Sequence, residues 1–220
     1  METGQNIGIV GGTGNLGSAI AWRLARAGHH VLIGSRTPEN AVAEAERLGY
    51  GIEGASNLDV ATRADIVIVT VPFAAQEATM REIAPTAAGK IVVDTTVPLV
   101  PPRVMRVQLP AEGSAAVRAQ GFLGESVTVV SAFHNVAAHK LAQDVDVGCD
   151  VLVFGDAKDA RAKIVDLANA MGLRGLHAGA LANSAAAEAM TSLLIFMNKT
   201  YRVDGAGIRI TGELRFDAAD

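Results

Sequence analysis

The sequence has a single cysteine, Cys149, and few aromatic residues, which make up 4% of its 220 residues. One cysteine excludes an intramolecular disulfide and a cysteine-based zinc cluster, and the histidines lack the spacing of metal ligands. The scarcity of aromatic side chains argues against a surface on which nucleic-acid bases stack. A formal net charge of -4 at pH 7 gives no electrostatic reason to expect a nucleic-acid partner.

Long hydrophobic runs are also missing. Glycine, proline or a charged residue interrupts each apolar stretch before it reaches the roughly 20 residues that a membrane-spanning helix needs. The first residues, Met1 to Gln5, are polar and do not resemble a signal peptide. Hydrophobic residues nevertheless make up 50% of the chain, and charged residues only 19%. We therefore expect a soluble, cytoplasmic protein with a large core and no membrane partner.

The most informative stretch that is present covers residues 6–17, NIGIVGGTGNLG. An apolar run typical of a strand leads into Gly12, Gly14 and Gly17, which form the G-x-G-x-x-G fingerprint of dinucleotide-binding proteins, and helix-forming residues follow. We expect Gly12 to allow the turn, Gly14 to let a pyrophosphate approach, and Gly17 to let the helix pack on the strand. Free N–H groups at the helix start would face the phosphates. A glycine-rich turn without a ligand is the alternative, but the strand and helix favour the fingerprint.

The remaining chain alternates predicted strands and helices. Repeated β-α-β units indicate an α/β fold of the Rossmann type, with a doubly wound, mostly parallel sheet and a small C-terminal helical segment. The polar stretch from Leu141 to Asp150 is the best candidate for a domain boundary. We expect a nucleotide-binding Rossmann domain over residues 1–145 and a smaller C-terminal α/β and helical part over residues 146–220.

The end of the second predicted strand indicates which dinucleotide binds. NAD sites carry an acidic residue there for the ribose 2′-hydroxyl, whereas NADP sites replace it and supply an arginine. Here Ser35 and Arg36 occupy the position, about 20 residues after the fingerprint. The guanidinium of Arg36 can pair with a 2′-phosphate through two hydrogen bonds, and Ser35 adds a donor. A solvated loop arginine is the alternative, but the position favours NADP.

Other site residues should collect at the carboxyl ends of the parallel strands. His134 follows the strand predicted to end at Ser131, and it is the candidate catalytic residue because its ring could orient the nicotinamide or its partner. A strand-end histidine hydrogen-bonded to backbone is the alternative. The sequence lacks the G-x-S-x-G, H-E-x-x-H and P-loop motifs of hydrolases and kinases, whereas hydride transfer between two bound rings needs little acid–base machinery.

Four segments carry a family resemblance. They are residues 7–17, Gly34-Ser35-Arg36, Ser131-Ala132-Phe133-His134, and residues 178–184 with the sequence AGALANS. In order and spacing they resemble the coenzyme F-420:NADP oxidoreductases, also called NADPH-dependent F-420 (F420) reductases. The resemblance extends from Ile7 to about Ile208.

The resemblance implies an oxidoreductase that transfers a hydride between NADP(H) and the deazaflavin coenzyme F420 as co-substrate. It assigns Thr13, Asn15 and Leu16 to the pyrophosphate, and it assigns Ser35 and Arg36 to the 2′-phosphate. It places Val71 and Pro72 along the cofactor path, and His134 and Val136 by the nicotinamide. Beside the deazaflavin it places Val97, Pro98 and the turn containing Gly207. Residues 146–220 would complete this pocket.

Two alternatives to this function stay open from the sequence. One is an NADPH-dependent reductase of another small acceptor, and the other is an NADP(H)-binding sensor without a pocket for a second ring.

The stretch from Met190 to Met197 is apolar on nearly all sides. A helix on the surface of a monomer should instead have a polar side that faces solvent. We expect a homodimer in which a second copy covers part of this helix. The alternative is a helix that lies wholly inside one subunit.

Overall fold

The computed structural model describes residues 4–215, which form eight strands and eight α-helices. The strands are β1 (Asn6–Val10), β2 (His30–Ser35), β3 (Glu53–Ser56), β4 (Ile66–Val69), β5 (Ile91–Asp94), β6 (Thr128–Ser131), β7 (Asp150–Val153) and β8 (Arg174–His177). The helices are α1 (Asn15–Arg26), α2 (Pro38–Leu48), α3 (Asn57–Arg63), α4 (Phe73–Ile83), α5 (Ala115–Leu123), α6 (Ala138–Leu141), α7 (Lys158–Ala170) and α8 (Ser184–Tyr201).

Six of these strands form one sheet in the order β3-β2-β1-β4-β5-β6, and all neighbouring pairs are parallel. The buried strands β4 and β5 are short and continuously apolar apart from the last residue of β5, as expected of strands covered on both faces. The order reverses between β1 and β4, and in open α/β sheets that reversal opens a crevice at the carboxyl ends of the strands. The predicted α/β Rossmann-type fold is therefore confirmed.

Strands β7 and β8 form a separate parallel pair. An antiparallel bridge joins this pair to the edge of the large sheet, with the backbone N–H groups of Ser131 and Phe154 each donating to the other's carbonyl oxygen, at 2.8 and 2.9 Å. One hydrophobic cluster combines residues of β1 and β2 with Val151, Ile164 and Leu167. The core thus crosses the predicted boundary at residue 145, and the division into two functional parts stays a prediction.

Two of the helices adjoin a 3-10 turn. Helix α4 ends at Ile83, and the chain continues as one 3-10 turn over Ala84–Thr86. Pro85 lies in that turn, and its missing N–H and fixed ring prevent a regular helix from continuing. A second 3-10 turn, over Leu181–Asn183, directly precedes α8. Within residues 4–215, no helix is both long enough and apolar enough to span a membrane.

Candidate functional site

The turn between β1 and α1 is built from closely packed glycines. Gly11 has a φ of 76°, a left-handed conformation that favours glycine, and its N–H donates to Asn57 Oδ1 at 3.1 Å. Gly12 is needed for a different reason, because a Cβ there would lie 2.7 Å from the Cβ of Ile33 on the neighbouring strand β2. The tight turn that the sequence assigned to Gly12 therefore depends on the preceding glycine, while Gly12 permits the close approach of β2.

The other two fingerprint glycines differ from each other in their surroundings. A Cβ on Gly17 would lie 2.6 Å from Thr70 Oγ1, so this position lets α1 pack against the end of β4. A Cβ on Gly14 would meet only the carbonyl oxygen of Gly11, at 3.5 Å, because Gly14 faces open space. These are the surroundings that the fingerprint predicts for a glycine facing a ligand.

The start of α1 leaves backbone donors available. Its N-cap, Gly14, has no side chain to cap the helix, and no hydrogen bond within residues 4–215 uses the N–H groups of Asn15, Leu16 or Gly17. Thr13 and Asn15 are exposed beside them. Unpaired N–H groups at the positive end of a helix dipole favour a bound phosphate. This part of the site fits the pyrophosphate of a dinucleotide.

The end of β2 presents an arginine to solvent. Arg36 is exposed, and it forms no ion pair with the residues that the structure describes. Ser35 is buried, and its hydroxyl oxygen accepts a hydrogen bond of 3.2 Å from the N–H of Thr37. That bond leaves the hydroxyl hydrogen of Ser35 available to a ligand. An accessible guanidinium and a free hydroxyl donor fit the 2′-phosphate of NADP.

The other predicted site residues follow three neighbouring strands. Val71 and Pro72 come shortly after β4, and Val97 and Pro98 come shortly after β5. Val136 comes shortly after β6. Because β4, β5 and β6 are adjacent and parallel, their carboxyl ends bring these residues to the same edge of the sheet. Their contacts with co-substrates stay predictions.

Gly207 reaches this region from the C-terminal segment. The N–H of Asp150 donates to the carbonyl oxygen of Ile208 at 2.7 Å, so the segment runs along β7. A Cβ on Gly207 would lie 2.6 Å from Cys149 Cβ and 3.4 Å from the carbonyl oxygen of Asn135. The structure thus brings Gly207 next to the loop that carries His134 and Val136.

His134 is buried, with 7% of the residue exposed. Its Nε2 lies 2.8 Å from Ser131 Oγ, and its carbonyl oxygen accepts a hydrogen bond of 3.1 Å from Thr191 Oγ1. The ring is thus held by a side chain, not by backbone as in the alternative considered from the sequence. Burial lowers the pKa of His134 to about 4, so the imidazole is neutral near pH 7. Its catalytic role stays a prediction.

Sequence reasoning missed two buried carboxyl groups near this loop. Asp94 ends β5 and accepts hydrogen bonds from Gln76 Nε2, at 2.8 Å, and from the side chain and the N–H of Thr96. Burial raises the pKa of Asp94 to about 7, although the hydrogen bonds from Thr96 and Gln76 oppose that rise. The other group is Glu188, the one charged residue between Ser184 and Asn198. A single carboxylate in so apolar a stretch is unusual, and this was the feature of the sequence that could have identified it.

Comparisons with known proteins show the family of this chain. The family model described as "NADP oxidoreductase coenzyme F420-dependent" matches residues 6–98. The F420-dependent NADP reductase of Methanothermobacter thermautotrophicus is 40% identical, with 94% of this chain and 95% of the relative covered. The enzyme of the same name from Methanocaldococcus jannaschii is also 40% identical, with 94% and 98% covered. The chain belongs to the F420-dependent NADP reductase family.

Solved structures extend the agreement in fold for this F420-dependent NADP reductase family member. A protein from Arthrobacter sp. FB24 superposes with a TM-score of 0.81 at 24% identity, over 95% of this chain and 100% of that chain. A protein from Sinorhizobium meliloti gives a TM-score of 0.70 at 26% identity, over 84% and 88% of the two chains. The family resemblance predicted from the four sequence segments is confirmed over nearly the whole chain.

Proposed function

We infer that this protein is an NADP-dependent oxidoreductase that transfers a hydride between NADP(H) and coenzyme F420. The observation that carries the inference is the 40% identity to reductases of that name along 94% of the chain, since it includes the C-terminal residues as well as the fingerprint. The free helix start at Asn15 and the unpaired Arg36 supply, within this chain, the two phosphate contacts that NADP requires.

The two ends of the NADP site have separate tasks. Gly14 and the N–H groups of Asn15 and Leu16 hold the pyrophosphate, with Thr13 beside them, because they offer donors and no side-chain obstruction. Arg36 and Ser35 hold the 2′-phosphate and so distinguish NADP from NAD. Val71 and Pro72, which follow the end of β4, would line the path of the cofactor toward the nicotinamide position.

The second half of the site aligns two rings. Both co-substrates carry their own hydride chemistry, so the residues around them need only orient the rings and keep water out. Val136, two residues after the buried His134, and Val97 are partly exposed and supply apolar surface for this task, whereas Pro98 is buried. Gly207, in the C-terminal segment, closes the same region. In this way residues 146–220 complete the pocket.

The active form that we propose is a homodimer formed through α8. The exposed side of this helix carries large apolar side chains, namely Met190, Leu193, Phe196, Met197 and Tyr201. A contiguous apolar surface of this kind marks an interaction site more often than it remains in solvent. A second copy would present the same face about a two-fold axis, as isologous dimers do. The cytoplasmic location stays a prediction from the sequence.

A direct assay tests the reaction. We expect purified protein to oxidise NADPH when oxidised F420 is added, with loss of the deazaflavin absorbance in the same proportion. NADH should support a much lower rate at equal concentration. Oxidation of NADPH with a small ketone or imine but not with F420 would favour a reductase of another acceptor. Tight NADPH binding without turnover of any acceptor would favour a sensor.

A further inference from the structure

The side chain of Glu188 makes only accepting hydrogen bonds. The residue is 1% exposed, and its carboxyl oxygens accept from the N–H of Ala115 at 2.6 Å and from the N–H of Ala116 at 3.2 Å. A third hydrogen bond, of 2.7 Å, comes from Ser184 Oγ. Burial raises the pKa of Glu188, but these three donors oppose that rise and favour the ionised form, which has no hydrogen to donate.

This arrangement fixes the direction of a longer chain of hydrogen bonds. A serine hydroxyl has one hydrogen, and Ser184 gives that hydrogen to Glu188. In its 2.7 Å contact with Ser131 Oγ, Ser184 must therefore accept, and Ser131 donates. Ser131 then has no hydrogen left for His134, so in the 2.8 Å contact between Ser131 Oγ and Nε2 the ring nitrogen is the donor.

We propose that Glu188 acts through Ser184 and Ser131 to hold His134 in the neutral tautomer that carries its hydrogen on Nε2. Glu188, Ser184 and Ser131 are then positioning residues. The other ring nitrogen, Nδ1, is left with a lone pair, and no hydrogen bond within residues 4–215 uses it. The next step rests on the proposed function. When a co-substrate is bound, Nδ1 accepts a hydrogen bond from an N–H group of its ring.

A purely structural role for Glu188 makes a different prediction. The carboxylate also satisfies two free N–H groups at the start of α5, and that capping alone would place no constraint on the histidine. Glu188→Gln separates the two roles. The amide oxygen of the glutamine should keep the shorter contact with Ala115, so the NH2 group replaces the oxygen that accepts from Ser184 and, at 3.2 Å, from Ala116. The NH2 group then donates to Ser184, and the N–H of Ala116 loses its partner. Ser184 then accepts a hydrogen bond from the glutamine and donates one to Ser131. Ser131 in turn donates to Nε2 of His134.

The experiment is a long-range proton–nitrogen NMR correlation on the ligand-free full chain with labelled histidine. Spectra are recorded at mildly alkaline pH, because burial raises the pKa of Glu188 and a higher pH favours its ionised form. The signals of His134 are identified by their loss in His134→Gln. We expect a hydrogen on Nε2 in the wild type and on Nδ1 in Glu188→Gln. The exposed Glu82→Gln is the matched control and should keep the wild-type pattern.

Two further variants keep the test decisive. Ser184→Ala removes the acceptor of the Ser131 hydroxyl and should also increase the Nδ1–H population, which covers the case that Glu188→Gln fails to fold. In a Ser131→Ala background, Glu188→Gln should no longer affect the tautomer. A wild-type hydrogen on Nδ1, an unchanged tautomer in both single variants, or a Glu188 effect that persists without Ser131 would overturn the proposal. Since no co-substrate is present, the result is independent of whether the protein reduces F420.

Discussion

The side-chain amide of Gln76, on α4, donates a hydrogen bond of 2.8 Å to the carboxyl group of Asp94 at the end of β5. Asp94 is 0% exposed, and the same amide nitrogen of Gln76 also donates to the carbonyl oxygen of Ala115 at 2.9 Å. Gln76 therefore ties α4, β5 and the start of α5 together behind the strand ends. The hydrogen bond favours an ionised Asp94, but burial has the larger effect and raises its pKa to about 7.

The raised pKa of Asp94 predicts a pH-dependent stability. Because the folded pKa lies above the ordinary value of 3.8, the stability that protonated Asp94 contributes is lost as pH rises through about 7. Relative to Asp94→Asn, the wild type should lose about 2–3 kcal/mol of unfolding free energy between about pH 5 and about pH 8. Denaturant unfolding of both proteins across this range measures the difference.

The comparison with Asp94→Asn also removes the contribution of His134. That residue acts in the opposite direction, because burial lowers its pKa to about 4 and stability is lost as pH falls. Its contribution is present in both proteins and cancels. The exposed Asp166→Asn serves as the control. Parallel stability curves for the wild type and Asp94→Asn would show that Asp94 keeps the same charge throughout.

Gly14→Val tests the pyrophosphate site. A valine there should abolish NADPH binding while the melting temperature changes little, because its Cβ would meet only Gly11 at an ordinary 3.5 Å. Gly17→Val is the contrasting variant and should lower the melting temperature, since its Cβ would lie 2.6 Å from Thr70 Oγ1. Calorimetric titration and thermal melting measure the two effects. Tight NADPH binding by Gly14→Val would place the pyrophosphate elsewhere.

Arg36→Ala tests the preference for NADP. Loss of a charge-assisted, two-bond contact to phosphate costs about 1.5–3 kcal/mol, so NADPH affinity should fall at least tenfold. NADH affinity should stay nearly unchanged, because NADH has no 2′-phosphate. Arg81→Ala, which removes an exposed arginine paired with Glu77 on α4, is the control. Equal losses for both dinucleotides would mean that Arg36 supports the fold.

The features that sequence predicted correctly depend on local patterns. The strand β1, the helix that starts after Gly14 and the position of Arg36 at the end of β2 all lie within residues 6–36, and each has a direct reason in strand or helix chemistry. The parallel, doubly wound sheet was also predicted, because β-α-β units restrict how a parallel sheet can be wound.

The buried polar network could not be predicted in the same way. Glu188 lies 73 positions from Ala115, and Ser184 lies 53 positions from Ser131, so only the folded chain brings them together. The turn at Gly11 and Gly12 was assigned to the wrong glycine for a related reason. The close neighbour that excludes a side chain at Gly12 is Ile33, on another strand.

The apolar stretch in α8 shows what sequence leaves undecided. Its composition predicted coverage from two sides, but only the fold shows which residues face the chain's own core. Leu194 is 7% exposed, whereas its neighbours Leu193 and Phe196 are 45% and 52% exposed. The side with Leu194 is covered within the chain, and the opposite side is the one available to a second copy.

This difference between adjacent residues makes the dimer testable. Sedimentation equilibrium at micromolar concentration should give twice the 22.7 kDa of one chain. Phe196→Glu should yield folded monomers, because a carboxylate buried at a dimer interface has no partner to offset its desolvation, yet it is fully hydrated on a free surface. Leu194→Glu should instead lower the melting temperature, because it places that charge in the core.

Val42→Glu is the matched control for the dimer, since Val42 is 43% exposed but lies on α2, away from α8. It should leave both mass and melting temperature nearly unchanged. A wild-type mass of one chain at micromolar concentration would contradict the dimer. A dimer that persists in Phe196→Glu and in Leu193→Glu would place the interface on another surface. In a symmetric dimer each substitution buries one charge on each copy, and two buried charges would cause a large loss of affinity.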